Sequence, residues 1–578
     1  MFERLLLLTL GFAIVAPAGA VEWFVEARFR DAAMLSRTAG MFQHAIIDSE
    51  RHTLRVDTDD EGIRRLQEAG LNVLIDMPAT AALRGFYAPA DGISSIPGYA
   101  CYRTVEETYQ SIDDIVLTYP TLASVEEIGP SWERTQEIAQ GYSMRALRVT
   151  NRDTLGSQRG RPRMVLFGSI HAREYTPAEL LTRMAEWLVT GYGIDAQATW
   201  LVDHVDFRFI LQANPDGRKK AESGILWRKN TNVVDAFCPG TPTSSRQPGV
   251  DLNRNFPFHW NFTNGSGSSG SMCSEIYRGP QAASEPETEN LVRYVAGTPD
   301  VDGVYRGGAL PDSKPAAAAS SAPAAYAGLF FDVHSYSRLV VWPWGDTAAP
   351  APNSVALQTL GRRIAWFNNY TPAQSSDPEF LYTTDGTTVD TVYGLLGAPS
   401  FTIELGTSFF ESCANFANTT LPLNLAALRY AARTAHAPYQ LSAGPDIRSI
   451  SLSAVRVIAG QAVILRATVD DNGLSTANGT QPSRPIDAAI SSIGVPPWHG
   501  DAMPLTLDAE DGAFDSAVEN VSGTLQTGTL AAGRHLIYVQ GITRDGAAPL
   551  PGAPDAVFLD IIDANDVIFM EGFDASVR

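Results

Sequence analysis

The sequence predicts a large central α/β domain between a small N-terminal α+β module and a C-terminal all-β sandwich. Chain length is the first reason, because 578 residues exceed what one hydrophobic core usually organises. The second is that apolar runs alternate with helical patterns from about Tyr99 to Tyr439. The third is the change beyond Pro438 to short alternating segments broken by Asp-Gly pairs.

Composition and net charge limit the classes of protein to which this chain can belong. Apolar residues make up 44% of the chain and charged residues 19%, which is typical of packed globular domains. The 64 acidic and 43 basic residues leave a net charge of -21. This charge disfavours nucleic acid or an anionic membrane surface as the main partner, so we expect a soluble acidic protein.

Residues 1–20 resemble a signal peptide. Arg4 precedes the apolar stretch Leu5 to Ala16, and Ala18-Gly19-Ala20 supplies the small-residue cleavage pattern. A short membrane anchor is the alternative, although the apolar run is shorter than the ~20 residues of a spanning helix. The pattern predicts a secreted protein, extracellular or periplasmic, with no integral membrane segment after signal removal.

Residues 21–88 predict the α+β module, because short apolar runs alternate with charged helical stretches such as Asp60 to Ala69. Residues 89–98 are rich in Pro, Gly, Ser and Ala, as an exposed linker would be. The central domain is predicted to span residues 99–439.

Within the central domain, Met164 to Phe167 predicts a buried strand. Thr176-Pro177-Ala178-Glu179 predicts a capping box at the start of the next helix, with proline at its first position. A strand followed by a helix is the α/β pattern. Further strands are predicted at Val205 to Leu211, Gly328 to Val333, Leu339 to Trp342 and Ser400 to Leu405.

Residues 447–565 predict the β-sandwich, in which short segments such as Ala462 to Val469 and Ala556 to Ile562 alternate apolar and polar residues. Its sequence contains no motif that identifies a ligand. One expectation for such a domain is that it binds glycans or cell surfaces. The tail, residues 566–578, is either a sorting or anchoring signal or a plain final strand.

Three metal-ligand candidates follow predicted strands. His171 and Glu174 come just after Met164 to Phe167, and His334 comes just after Leu329 to Val333. Ligand sites in open α/β sheets gather at the carboxyl ends of strands. The H-x-x-E pair alone is weak evidence, but two imidazoles and one carboxylate with a free fourth position are the ligand set of catalytic zinc.

Glu404 ends another apolar run. A carboxylate at this position is expected to have a charged or hydrogen-bonding partner or a functional role, because burying it unpaired is costly in free energy. The alternative is an ordinary acid at the end of a strand.

Five segments follow one another along the chain: Gly168 to Glu174, Trp227 to Asn230, Asp251 to Asn255, Asp332 to Ser337 and Phe401 to Leu405. In this order they resemble the motifs of the zinc metallocarboxypeptidases of the carboxypeptidase A type. The resemblance covers roughly Tyr99 to Tyr439, and the ordered set is highly specific. It implies a mixed sheet sandwiched between helices, and a secreted enzyme made as a precursor with residues 21–88 as its propeptide.

The resemblance also implies the chemistry. His171, Glu174 and His334 would bind one Zn²⁺, which activates water and polarises a carbonyl. Glu404 would be the general base, and Arg228 would stabilise the developing oxyanion.

By the same resemblance, Asn253 and Arg254 would recognise a free terminal carboxylate. The Arg254 guanidinium can form two parallel hydrogen bonds with it, and Asn253 can donate a third from its amide. Counting back from Glu404 without gaps places Tyr382 where the family has a mobile tyrosine that caps this carboxylate. Arg173 and Tyr336 would contact the preceding substrate residues.

The same count places Thr387 and Val389 where family members that prefer Lys or Arg carry an acid. Neither residue is acidic, which predicts a preference for apolar or aromatic C-terminal residues. Asp377 and Asp385 lie on the same segment and would change the preference if either reached the pocket.

Four cysteines are compatible with two disulfides in an oxidising compartment. Cys273 to Tyr277 resembles the second half of the family's disulfide motif, which implies a Cys238–Cys273 pair and leaves Cys101 and Cys413 for the second.

Three alternatives stay open. Residues 21–88 could be a permanent accessory domain. A related zinc amidohydrolase, acting on acylated amino acids or peptidoglycan peptides, would share the metal ligands but should lack the carboxylate clamp. A non-catalytic binding protein would require loss of the metal or the base.

Overall fold

The computed structural model describes residues 23–30, 34, 46–48, 52–58, 60–76, 95–154, 160–240, 242, 247–314, 320–377, 381 and 383–562. The chain divides into two compact units, one up to Pro89 and one from Ala90 onward. The predicted signal peptide, most of the predicted linker and the tail, residues 566–578, lie outside the described residues.

The first unit is an antiparallel sheet with one described helix. Its elements are β1 Trp23–Arg28, β2 Ile46–Asp48, β3 Thr53–Thr58, α1 Asp60–Glu68 and β4 Asn72–Ile75, with the strands in the order β2-β3-β1-β4. Val25, Leu54, Leu66 and Leu71 form its core. Leu66 lies on the helix, which therefore packs on one face of the sheet. This agrees with the predicted α+β module.

The second unit contains a mixed sheet of eight described strands. They are β5 Ala123–Pro130, β6 Ser143–Val149, β7 Arg163–Gly168, β8 Asp206–Ile210, β11 Leu329–Ser335, β12 Leu339–Trp342, β13 Thr371–Gln374 and β14 Ser400–Leu405. Their order is β13-β12-β14-β11-β7-β8-β6-β5, with β14, β11, β7 and β8 parallel at the centre. Every residue of β8, β11 and β12 is buried, so both faces of the sheet are covered. A separate ribbon pairs β9 Gly297–Pro299 with β10 Tyr305–Gly307.

Helices accompany this sheet, and the predicted α/β class with a mixed sheet is confirmed. They are α2 Val105–Thr118, α3 Trp132–Thr135, α4 Tyr175–Gly191, α5 Ala196–His204, α6 Pro215–Ala221, α7 Pro286–Val295, α8 Ser354–Asn368, α9 Thr388–Leu396, α10 Cys413–Asn415, α11 Leu421–Thr434 and α12 Pro438–Leu441, with a 3₁₀ turn at Leu252–Arg254 and a π-helical turn at Phe416–Thr420. Among the described residues, no helix has both the length and the apolar character needed to cross a membrane.

The start of α4 differs from the prediction. The helix begins at Tyr175, its N-cap is Glu174, and no side chain caps it. Thr176 therefore lies inside the first turn, and the predicted capping box is wrong. The Glu179 carboxylate instead accepts hydrogen bonds from Arg103 Nη1 and Arg183 Nε, each at 2.8 Å.

Two disulfides join distant parts of the second unit. Cys238 pairs with Cys273, and Cys101 pairs with Cys413 across a sequence separation of 312 residues. Both pairings agree with the resemblance. The second bridge ties the start of the central domain to the segment that follows β14.

The C-terminal region is all β, as predicted. Its strands are β15 Asp446–Leu452, β16 Arg456–Ile458, β17 Val463–Asp470, β18 Ile486–Ile493, β19 Leu505–Ala509, β20 Val518–Leu525, β21 Gly533–Asp545, β22 Ala548–Pro551 and β23 Asp555–Ile562. β19 pairs with β18 through its first residues and with β20 through its last. The two layers of the predicted sandwich therefore belong to one continuous sheet, which curls around a core that includes Leu465, Ile537 and Leu559.

Candidate active site

The candidate site lies where the central parallel strands end. His334 is the penultimate residue of β11, and it lies beside Glu404 in the parallel register with β14. β7 ends at Gly168, three residues before His171. Parallel strands present their carboxyl ends at one edge of the sheet, so side chains far apart in sequence meet there.

His171, Glu174 and His334 form a buried cluster. His171 Nδ1 lies 2.8 Å from Glu174 Oε1, and His334 Nδ1 lies 3.1 Å from Glu174 Oε2. One ligand atom from each residue can be chosen so that all lie within 4.8 Å of one another. Imidazole nitrogen and carboxylate oxygen are donors that Zn²⁺ prefers, so the residues present fit the predicted metal.

Glu174 is held in the charged form that a metal ligand needs. Burial would raise the pKa of Glu174, but the imidazoles of His171 and His334 outweigh burial and lower it below its ordinary value. The backbone N–H of Ser335 also donates to Glu174 Oε2 at 3.1 Å.

Two aspartates orient the histidines, a role that the sequence reasoning missed. His171 Nε2 lies 3.2 Å from Asp251 Oδ1, and His334 Nε2 lies 2.8 Å from Asp332 Oδ2. A carboxylate on the far nitrogen directs Nδ1 of each ring toward the cluster. A sequence signal existed for Asp332, because residues two apart on a strand share a face.

Glu404 and Arg228 line the same cavity as the cluster. Burial raises the pKa of Glu404 to about 7, although the nearby His334 opposes this. Arg228 donates from Nε and Nη2 to Asp251 Oδ2, at 3.0 and 2.9 Å. Asp251 therefore fixes both His171 and Arg228.

Asn253 and Arg254 lie in the 3₁₀ turn that follows Asp251, and both line the cavity. Asn253 Oδ1 accepts from the Thr388 backbone N–H at 2.9 Å, which ties the turn to the start of α9. Arg254 Nη1 donates to the Asn253 carbonyl at 2.6 Å. Tyr382, the third predicted member of this group, lies outside the described residues.

Arg173 and Tyr336 meet around Phe409 at the rim of the cavity. The Arg173 guanidinium lies 4.1 Å from the centre of the Phe409 ring, and Arg173 Nη2 donates to Glu275 Oε2 at 3.2 Å. Tyr336 is 43% exposed, and its ring lies 4.9 Å from the same phenyl ring.

The cavity has a volume of about 320 Å³, and part of its lining is a wall of small and apolar residues. These are Val341, Leu381, Thr384, Thr387, Val389 and Thr402. Asp385 points elsewhere, because its Oδ2 accepts from the backbone N–H and the hydroxyl of Thr263, at 2.9 and 2.6 Å. Asp377 is likewise not among the described residues that line the cavity, so neither acid reaches the pocket in this structure.

One family model and several known proteins are similar in sequence to this chain. A family model described as zinc carboxypeptidase matches residues 108–418. Carboxypeptidase A1 of Rattus norvegicus is 26% identical over 313 residues, which are 53% of this chain and 63% of that protein. The metallocarboxypeptidase A-like protein of Trichophyton verrucosum is 31% identical over 238 residues, or 40% of this chain and 47% of that protein. The chain therefore spans about half to two thirds of the length of these curated relatives.

Two solved structures are also similar. The crystal structure of thrombin-activatable fibrinolysis inhibitor has a TM-score of 0.45 and 21% identity, covering 72% of this chain and 98% of that one. Carboxypeptidase A from Helicoverpa armigera has a TM-score of 0.45 and 19% identity, with the same shares covered.

Proposed function

This chain belongs to the zinc carboxypeptidase family, and from that premise we propose that it is a zinc-dependent metallocarboxypeptidase. It hydrolyses the C-terminal peptide bond of peptides and proteins. The observation that carries the proposal is that the His171, Glu174 and His334 cluster shares one cavity with Glu404 and Arg254. A metal site, a base and a cation for a terminal carboxylate are the parts that an exopeptidase needs.

Zn²⁺ held by the cluster would polarise the scissile carbonyl and make water a good nucleophile near neutral pH. Glu404 accepts the proton of the attacking water and then gives it to the leaving amine. The raised pKa of Glu404 suits both transfers, because the carboxylate is basic enough to take the proton and acidic enough to return it. Arg228, oriented by Asp251, donates to the oxyanion as it develops.

Arg254 and Asn253, with Tyr382, bind the free carboxylate of the substrate. The guanidinium fork of Arg254 pairs with both carboxylate oxygens, which a terminal amide could not satisfy. The rival is a zinc amidohydrolase acting on acylated amino acids or peptidoglycan peptides. Matched peptides with free and amidated C-termini, assayed together with zinc analysis, distinguish the two. Preferential cleavage of the last bond of free peptides supports the carboxypeptidase.

Arg254→Ala is expected to lower kcat/KM on peptides with a free C-terminus roughly 10- to 100-fold, since charge-assisted hydrogen bonds contribute ~1.5–3 kcal/mol. Arg254→Lys, which keeps the charge but loses the fork, should fall between the wild type and the alanine variant. Zinc content should be the same in all three proteins. Unchanged kcat/KM in Arg254→Ala would refute the proposed role.

For specificity, we propose that the enzyme prefers C-terminal Phe, Tyr, Leu and similar residues. Val389 is buried at the start of α9, and none of the described residues that form the wall around it is acidic, so a lysine there would be desolvated without a counter-charge. An apolar side chain instead gains about 1.5–3 kcal/mol on full burial.

Peptides that differ only in their last residue test this preference. We expect kcat/KM for Phe and Leu to exceed that for Lys and Arg by at least roughly tenfold. Val389→Asp should shift the ratio of kcat/KM values toward substrates that end in Lys or Arg. Val389→Asn should not, because asparagine has nearly the shape of aspartate but no charge. Equal or better rates for the basic pair in the wild type would contradict the proposed pocket.

We also propose that the protein is exported and that residues 21–88 are a propeptide removed on maturation. The two disulfides support an oxidising compartment. Mass spectrometry of the secreted product tests both points. An N-terminus between Ala90 and Tyr102 requires processing, whereas one at Val21 means that the module is a permanent domain. Glycan or surface contact by the C-terminal region stays a prediction.

A further inference from the structure

A loop of the C-terminal region contacts the sheet edge beside the substrate cavity. This loop, residues 471–485, joins β17 to β18. We propose that the loop forms part of the specificity machinery and that Asn478 is a positioning residue for the pocket that receives the C-terminal side chain. The inference rests on the proposed function and deepens it, because it gives the appended region a role in substrate selection.

Two buried arginines of α8 fix the loop in place. Arg362 Nη1 donates to the carbonyls of Ser475 and Gly479, both at 2.8 Å, and its Nη2 bonds to the carbonyl of Asn478. Arg363 Nη2 donates to Asp471 Oδ1 at 2.5 Å. A buried guanidinium left without such acceptors would be costly, so the arginines hold the loop against the central domain.

The loop supplies hydrogen-bond donors to the sheet edge. β13 is the outermost described strand of the central sheet, so its outer carbonyls have no neighbouring strand to pair with. Asn478 Nδ2 donates to the Pro372 carbonyl at 3.1 Å, and Ser475 Oγ donates to the Tyr370 carbonyl at 3.3 Å. Side chains of the loop thus replace part of the missing strand.

Asn478 also reaches the segment that leads from the strand into the cavity wall. Its Nδ2 lies 3.4 Å from Asp377 Oδ2, and the Asp377 carbonyl accepts from the Leu381 backbone N–H at 2.9 Å. Leu381 and Ser375, which follows β13 directly, both line the cavity. One amide group therefore connects the C-terminal region to the pocket wall through both the strand and the segment after it.

The test compares two substitutions in this loop within the full-length protein. Asn478→Ala removes both contacts, whereas Gln481→Ala is the control, since Gln481 Nε2 donates only to Thr359 Oγ1 on α8, at 3.1 Å, among the bonds described. We expect Asn478→Ala to raise KM for peptides ending in Phe about three- to tenfold, with a smaller change in kcat. In the same variant, the ratio of kcat/KM for peptides ending in Phe to that for peptides ending in Ala should fall. Gln481→Ala should change KM less than about twofold.

Hydrogen exchange of peptides spanning Ser375 to Thr384 gives a readout that does not depend on activity. Exchange should be faster in Asn478→Ala than in the wild type and unchanged in Gln481→Ala. Equal effects of the two variants, or an unchanged Phe to Ala ratio in Asn478→Ala, would overturn the proposal. A wild type that cleaves no free peptide refutes the proposed function instead, and hydrogen exchange alone then decides whether Asn478 positions this wall.

Discussion

Replacing Glu404 by Gln is expected to stop turnover while leaving bound zinc unchanged. Glu404 lines the cavity, but it is not one of the three residues whose ligand atoms converge. Glutamine keeps nearly the same shape and cannot accept the proton of the attacking water. General acid–base catalysis typically accelerates a reaction about 10²- to 10⁴-fold, so kcat should fall by at least about 100-fold.

The experiment needs kcat, KM and metal content on the same preparation. Glu287→Gln is the matched control, because Glu287 is a buried glutamate that does not line the cavity among the described residues. Burial raises the pKa of Glu287 to about 8, so glutamine imitates its neutral form at pH 7. Activity in Glu287→Gln should stay close to wild type. Substantial turnover by a zinc-loaded Glu404→Gln variant would eliminate Glu404 as the base.

His171→Ala is expected to lose metal and activity together. It leaves two protein ligands in the cluster, and it also removes one of the two described partners of Asp251 Oδ1, the other being the Asn253 backbone N–H. Loss of a residue that only supports a ligand typically weakens metal binding 10- to 100-fold, so loss of the ligand itself should exceed about 100-fold. Zinc titration in the presence of a competing chelator measures this change directly.

His204→Ala provides the comparison, because His204 packs against Trp498 at 5.9 Å between ring centres and is not part of the metal cluster. It should keep its zinc and its kcat. Full zinc occupancy in His171→Ala would mean that the metal is bound by other residues. Loss of zinc in both variants would point to a general loss of structure.

The metal cluster could be predicted because it depends on where strands end. Apolar runs locate β7 and β11, and polar residues directly after such runs lie at one edge of a parallel sheet. The capping box was predicted wrongly for a non-local reason. The Glu179 carboxylate accepts a hydrogen bond from Arg103, 76 residues away in sequence, and does not cap the helix. A short-range pattern contains no information about such a partner.

The C-terminal region illustrates a second limit. Alternation of apolar and polar residues identifies strands and their buried faces, but it does not identify their neighbours. The double pairing of β19, which joins the two layers, was therefore not readable from the sequence. The contact between Asn478 and Pro372 spans 106 residues and was equally inaccessible.

The position of β14 affects how the protein is made. Although β14 follows both β11 and β12 in the chain, it lies between them in the sheet. During synthesis on the ribosome, the nascent chain cannot close the sheet centre until residue 405 has emerged, and until then β11 and β12 each lack one neighbour. Unpaired strand edges invite association with other chains, and late non-local pairing is slow. The nascent protein should therefore depend on chaperones that shield these edges. Glu404 lies on this late strand, so the cavity cannot be complete before the strand has paired.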